Sequence, residues 1–232
     1  QHQRTNGGKR RQMQTAITFG TDGIRGVAGQ FPLDHTTLVH IGRAIGQWFV
    51  QNRPPVNGQH QALIGTDTRQ SRLALTAGIA DGLKAAGIVV SPCGIVTTPE
   101  LAYLTQQHSQ HPIGIMLTAS HNPYDQNGIK VFDSDGFKLP DADETAIEAL
   151  ITEALVANGK WPGPPPFWET APWVSPNTPM HAGYVRFLLD SLAGSLPPSG
   201  LDGFTVVVDC ANGAAYEVAR MAFFAVGATA HM

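Results

Sequence analysis

Ile113-Gly114-Ile115-Met116-Leu117-Thr118-Ala119-Ser120-His121-Asn122-Pro123 is the stretch that decides the fold. Its first five residues are apolar or small and read as a buried strand. Asn122-Pro123 stops a helix from following, because the residue before a proline is driven out of the α region. A single hydroxyl, Ser120, therefore stands at the tip of a polar turn at a strand end. Ligands gather at strand ends in open α/β sheets, so a serine displayed there is placed to give or receive a group.

Strands and helices alternate on either side of this turn. Upstream, Asp34 is positioned to cap a helix with the apolar stripe Leu38, Ile41, Ile45 and Trp48. Ala62-Leu63-Ile64 reads as a short buried strand ending at Gly65. Ser71 is expected to cap a helix with Leu75, Ile79 and Leu83 inward and Gly87 past its end. Ile88-Val89-Val90 is the next strand, and Thr98-Pro99 opens a helix with proline at its favoured first position. Downstream, Gly128 to Phe132 and Phe137 to Leu139 read as two strands around a Ser134-Asp135-Gly136 turn. Asp141 and Glu144 form a capping-box-like start for a helix carrying Ile147, Leu150 and Ile151. The class is α/β.

Gly159 to Pro172 contains Pro162, Pro164, Pro165 and Pro166, a stiff extended linker and the best domain boundary. Beyond it come a helix near His181 to Leu192, a strand from Phe204 to Val208, the turn Asp209-Cys210-Ala211-Asn212-Gly213, a helix from about Ala214 to Phe224, and a strand beginning at Ala228. These elements cannot close a doubly wound sheet, so the second domain is expected to be incomplete. The expected division is a disordered tail over 1–16, a first domain over 17–158 holding the serine loop, a linker over 159–177, and an incomplete second α/β domain over 178–232.

Composition narrows the classes. The chain has 232 residues, 42% of them hydrophobic, enough for a sizeable core. Only 14% are charged, against about 25% in an average soluble domain; surface covered by further protein is one reason. A net charge of −3 and the lack of a basic stripe leave no footprint for nucleic acid. No apolar stretch approaches the ~18 residues of a membrane span. Cys93 and Cys210 are far apart and form no CxxC pair, so both read as reduced, buried thiols of a cytoplasmic protein. Gln1 to Gln12 are polar and basic with no apolar core behind them, so they do not form a signal peptide. Met13 as the true start, or a disordered tail, both leave that segment outside the chemistry.

Four loops carry candidate chemistry, each beside a plainer reading. Phe19 to Gly26 holds three glycines in seven residues and a guanidinium, Arg25, suited to phosphate; it also reads as a glycine-rich turn. Gly65 to Ser71 opens a helix with N–H groups that suit an anion; it also reads as an ordinary βα loop with a cap and a salt bridge. It has neither P-loop nor dinucleotide spacing. In the third loop Ser120 needs activation before it transfers a group, with His121 and Lys130 nearby in sequence; the alternative is a hairpin loop with a capping serine. Its surroundings are not a G-x-S-x-G elbow, which disfavours acyl transfer. Asp209 to Gly213 reads as structural turn chemistry.

Together these loops resemble the α-D-phosphohexomutase superfamily, and within it the bacterial phosphoglucosamine mutases. The resemblance rests on FGTDGIRG (19–26), GTDTRQS (65–71), GIVTTPE (94–100), TASHNP (118–123), NGIK (127–130) and DCANG (209–213), in the family's order from about residue 17 onward. A set of motifs in order is far more specific than any one of them. Gln70-Ser71-Arg72 departs slightly from the usual wording.

The resemblance implies a three-layer mixed-sheet first domain followed by an incomplete second α/β domain. It implies that Ser120, carried as phosphoserine, donates its phosphoryl group to glucosamine 6-phosphate, that the 1,6-bisphosphate turns around, and that the second phosphate returns to Ser120. It gives Lys130 proton transfer with the sugar hydroxyl, Arg25 phosphate stabilisation and His121 a supporting role. It implies Mg²⁺ held by the phosphoserine and three aspartates of an Asp-Gly-Asp-x-Asp-Arg loop, which this sequence lacks. It also implies a phosphosugar as partner, with no nucleic acid or membrane, and further C-terminal domains of the same protein. The chain is therefore expected to be an N-terminal portion, inactive alone. Mannose or glucose phosphate mutases of the same superfamily, and a non-catalytic module binding phosphosugar or protein, are the alternatives.

Overall fold

The structure is a computed structural model that describes residues 16–21, 23–108, 112–157 and 178–232. In chain order its elements are β1 (Ile24–Val27), α1 (His35–Asn52), β2 (His60–Thr66), α2 (Arg72–Ala85), β3 (Ile88–Ile95), α3 (Thr98–Gln107), β4 (Ile113–Leu117), β5 (Gln126–Phe132), α4 (Asp141–Ala157), α5 (Thr178–Ser191), β6 (Thr205–Val207), α6 (Tyr216–Ala225) and β7 (Thr229–His231).

The run 113–117 is β4, buried at every residue. Side chains alternate across a strand, and that alternation builds two cores. Ile113, Ile115 and Leu117 join Ala62 and Ile64 of β2, Ile129 and Val131 of β5, and the inward residues of α1, α2 and α4. Leu63, Met116 and Phe132, one step out of phase, pack on the opposite face with Cys93 of β3, Val96 just past it, and Leu101 of α3. Each fully buried Ile or Leu contributes about 1.5–3 kcal/mol over exposure. The result is three layers: α1, α2 and α4, then the sheet, then α3.

The sheet is mixed, in the order β1-β5-β4-β2-β3. β2 runs parallel to β3 and β4; β5 runs antiparallel to β4 and to β1. Hence the loops after β2 and β4, which carry Asp67 to Ser71 and Thr118 to Pro123, leave the sheet at the same end.

Local signals differ from expectation at several points. Asp34 does cap α1, its Oδ1 accepting from Thr37 N at 3.1 Å. Ser71 makes no side-chain cap for α2; its Oγ accepts from Asn127 Nδ2 at 2.9 Å and ties the helix start to β5 instead. At α3 the cap is Thr97, in a reciprocal box with Glu100. β3 continues through Pro92 to Ile95, which an edge strand tolerates because proline needs no ladder partner there. Phe137 to Leu139 is no strand: a single bridge, Phe132 to Lys138, replaces it. Nor is there a capping box at α4. The Asp143 and Glu144 N–H groups donate to Pro140 O, and Glu144 Oε2 accepts from Lys138 Nζ at 2.8 Å.

The expected proline-rich linker lies outside the described residues, as does the tail up to residue 15. Past it, β6 and β7 form a two-stranded parallel sheet. Tyr184, Val185 and Val218 make a small core between α5 and α6, while Phe204, Val207 and Phe224 are exposed. α5 docks on α3 through aromatic contacts, Tyr103 lying 5.5 Å from Tyr184 and 4.7 Å from Phe187 between ring centroids. Among the described residues no helix is long and apolar enough to cross a membrane.

Candidate active site

A cleft of about 820 Å³ opens at the end of β4. It is lined by the loop after β2 (Asp67 to Gln70), the start of α3 (Thr97 and Thr98), the loop after β4 (Thr118, Ser120, His121, Asn122 and Tyr124) and the turn Ala211 to Ala215. Three of the four described non-glycine residues with positive φ lie in this lining: Ser120 (φ 54), Ala211 (φ 47) and Asn212 (φ 54). Such residues are held against their preference by surrounding structure, and they cluster at functional sites.

Ser120 is exposed and its backbone is held by a chain of hydrogen bonds. Its N–H donates to Thr118 Oγ1 at 2.9 Å, a local turn in which a threonine hydroxyl accepts two residues on. Thr118 Oγ1 in turn donates to Asp67 Oδ2 at 2.7 Å. Asp67 also accepts from Arg69, at Oδ1 from the backbone N–H and at Oδ2 from Nε, both at 3.0 Å. The remaining guanidinium donors reach the serine loop: Nη1 to Pro123 O (2.6 Å) and Gln126 O (3.0 Å), Nη2 to Ser120 O (3.1 Å) and Asn122 O (2.9 Å).

The sequence-expected residues are placed as follows. Ser120 and His121 line the cleft, both exposed. Arg25 and Lys130 are half-buried and do not line it. Directly opposed residues of antiparallel strands share a face; Arg25 opposes Gly128, and Lys130 opposes Met116. All four therefore lie on the sheet face of the cleft-lining Met116. Gly128 is required here: a Cβ would stand 2.6 Å from Arg25 Cδ and 2.8 Å from Thr118 O. The Arg25 stem thus crosses β5 toward the base of the serine loop.

Of the two readings of Gly65 to Ser71, the salt bridge holds, since Arg69 pairs with Asp67. The guanidinium donors of Arg69 are all engaged within the protein, and the Ser71 cap is not formed. Sequence reasoning missed Thr118 and Asp67 as partners of the serine loop, although a threonine two residues before Ser120 is a turn signal. It also took Asp209 to Gly213 as turn chemistry alone. The turn is real, Ala211 N donating to Asp209 Oδ1 at 2.7 Å, yet it also walls the cleft and accepts from Thr68 Oγ1 through Asn212 O at 2.6 Å. Cys93 is buried as expected, whereas Cys210 is half-exposed because that turn sits at the surface.

The described residues do not fit a Mg²⁺ cage. Mg²⁺ asks for oxygen ligands in near-octahedral array. Among the described residues no group of three or more His, Cys, Asp or Glu converges, and both Asp67 oxygens are taken.

Known proteins are similar to this chain in sequence and fold. The chain is 41% identical over 213 residues to the phosphoglucosamine mutase of Solibacter usitatus, covering 90% of the chain and 43% of that protein. It is 42% identical over 210 residues to the phosphoglucosamine mutase of Deinococcus deserti, covering 90% and 44%. A solved structure described as that of a putative phosphomannomutase from Thermus thermophilus superposes with a TM-score of 0.70 at 25% identity, over 93% of this chain and 45% of the other. The chain thus spans under half the length of these relatives. Residues 16–156 match the family model for phosphoglucomutase/phosphomannomutase, alpha/beta/alpha domain I. By that match, which takes in the three-layer sheet and the whole serine loop, the chain belongs to the phosphoglucomutase/phosphomannomutase family.

Proposed function

We propose that this chain is the serine-bearing part of a phosphosugar mutase that interconverts glucosamine 6-phosphate and glucosamine 1-phosphate. Ser120 Oγ holds a phosphoryl group. The sugar's 1-hydroxyl attacks phosphorus, a new P–O bond forms to the sugar, the P–Oγ bond breaks, and the hydroxyl proton passes to a base. The resulting 1,6-bisphosphate turns around. Its 6-phosphoryl group then moves to Ser120 Oγ: a P–Oγ bond forms, the P–O6 bond breaks, the base returns its proton to O6, and the 1-phosphate is left. Lys130 is assigned the proton and Arg25 the phosphoryl oxygens, which spread negative charge as the bond breaks. His121 borders the serine in the cleft and supports it.

The observation that carries the reading is Ser120 itself. It is exposed, left-handed and at a strand end within the cleft, with its backbone N–H and C=O already satisfied by Thr118 and Arg69. The hydroxyl is the group left to meet a ligand. The glucosamine assignment is supported by relatives named phosphoglucosamine mutase.

The test is phosphorus NMR of the gene product that carries this chain, supplied with glucosamine, glucose and mannose 6-phosphates in parallel. Glucosamine 1-phosphate should form fastest, and Ser120→Ala should abolish its formation. Wild-type turnover in that variant would overturn the reading; faster turnover of glucose or mannose phosphate would reassign the sugar.

A further inference from the structure

Arg69 has no role in the phosphoryl chemistry just described, yet it makes the densest set of polar contacts around the serine. A guanidinium carries five N–H donors in a fixed plane. All five are engaged: one on Asp67 and four on the carbonyls of Ser120, Asn122, Pro123 and Gln126. None is left for a phosphate. Its side chain is only 11% exposed, and that of its partner Asp67 only 13%.

The four carbonyls come from a span of seven residues, 120–126, and converge on one cation. That convergence has two physical effects. It closes the loop into a single shape, with Ser120 in a left-handed conformation that side-chain-bearing residues avoid. It also directs four oxygen dipoles at Arg69. An anionic ligand in the cleft is then spared their repulsion, and the guanidinium offsets the partial negative charge they bring. Asp67 completes the device from the other side. It fixes the guanidinium through Nε and, through the Thr118 hydroxyl, the N–H of Ser120. Both backbone polar groups of Ser120 are thus referred to one ion pair.

We infer that Arg69, seated on Asp67, is the positioning residue that sets the conformation of Ser120 and aims its hydroxyl into the cleft, while binding no phosphate itself. The inference rests on the reading of Ser120 as phosphoryl acceptor. Lysine cannot replace Arg69, because a point ammonium with three donors cannot span the five acceptors.

The test joins two readouts. Amide hydrogen exchange followed by NMR on this chain compares wild type with Arg69→Lys, Thr118→Val and Thr118→Ser. Exchange at the Ser120 amide should quicken about tenfold or more in Arg69→Lys and Thr118→Val. It should return near the wild-type rate in Thr118→Ser, with Ile64 and Ile115 of the sheet unchanged in all. Ser120 exchange within about twofold of wild type in both loosened variants would overturn the inference. The second readout is phosphoryl uptake from glucosamine 1,6-bisphosphate by the gene product that carries this chain. In Arg69→Lys the rate at saturating bisphosphate should fall about tenfold or more, with the half-saturating concentration little changed. Weakened binding at an unchanged saturating rate would make Arg69 a phosphate ligand and overturn the inference. Uptake absent from the wild type would sink the acceptor reading of Ser120, while the exchange comparison would still decide whether Arg69 sets the loop.

Discussion

His181 Nδ1 lies 2.6 Å from Glu100 Oε1, and both side chains are buried. The contact joins α5 to α3, whose first residues line the cleft. Glu100 serves two masters: its other oxygen accepts from Thr97 N at 3.2 Å and closes the capping box. The bond therefore ties the second structural unit to the wall of the site.

Removing the carboxylate should loosen both. Glu100→Ala leaves the buried His181 unpartnered and the α3 start uncapped. A buried polar group left without its partner costs about 1–3 kcal/mol, and a lost helix cap about 1 kcal/mol. Urea unfolding followed by tryptophan fluorescence should show a loss of that order, with faster proteolysis after residue 191. A change under about 0.5 kcal/mol, the range of ordinary surface substitutions, would mean that the pair does not couple the units.

Gly128 sits where three groups crowd: Arg25 Cδ at 2.6 Å, Ile24 O at 2.7 Å and Thr118 O at 2.8 Å from a Cβ. Two of these are backbone and cannot swing aside. Gly128→Ala should destabilise by about 1–3 kcal/mol, as overpacking does, and should lower turnover of the gene product by displacing Arg25. Unchanged melting and unchanged turnover would show that Arg25 does not cross β5 as described.

Burial, and then the nearby Arg43 charge, push the His40 imidazole below its ordinary value, with Asp34 pulling weakly the other way. The folded state thus prefers neutral His40. A lowered folded value gives stability that is full above the unfolded value, about 6.5, and that is lost as pH falls below it. The wild type should lose more melting temperature between pH 7 and pH 5 than His40→Gln does. Parallel pH profiles would contradict this.

Burial, and then the Glu100 charge, raise the Cys93 thiol to about 12. Only the thiolate reacts with alkylating reagents. Native protein at pH 8 should therefore label at Cys210 alone, and at both cysteines in urea. Native labelling of Cys93 at the rate of Cys210 would refute its burial.

Much of the fold was legible because burial writes itself as periodicity. Ile113 to Leu117 read as a buried strand, which the structure packs on both faces, and the α1 stripe with Asp34 before it read as a capped helix. Phe137 to Leu139 misled because three apolar or alternating residues after a tight turn look like a hairpin arm. The chain turns away to α4 after one bridge, and Leu139 is buried without a ladder. Ser71 misled for a related reason: a serine before a helix is usually a cap, but Asn127 from a distant strand claimed its hydroxyl. The exposed position of Ser120 past a strand end was readable from the apolar run before it. The Thr118–Asp67–Arg69 network was not, because it joins residues about fifty positions apart, and no periodic pattern reports such a distance. Ala211 and Asn212 were read as a turn; that the turn walls the cleft follows only from tertiary packing.

The central claim is that Ser120 holds the phosphoryl group. Intact-mass measurement and phosphopeptide mapping of the gene product that carries this chain, after incubation with glucosamine 1,6-bisphosphate, test it most directly. The account predicts a gain of one phosphoryl group, located on the peptide containing Ser120 and absent from Ser120→Ala. A phosphoryl group on any other residue, or an undiminished gain in Ser120→Ala, would contradict it.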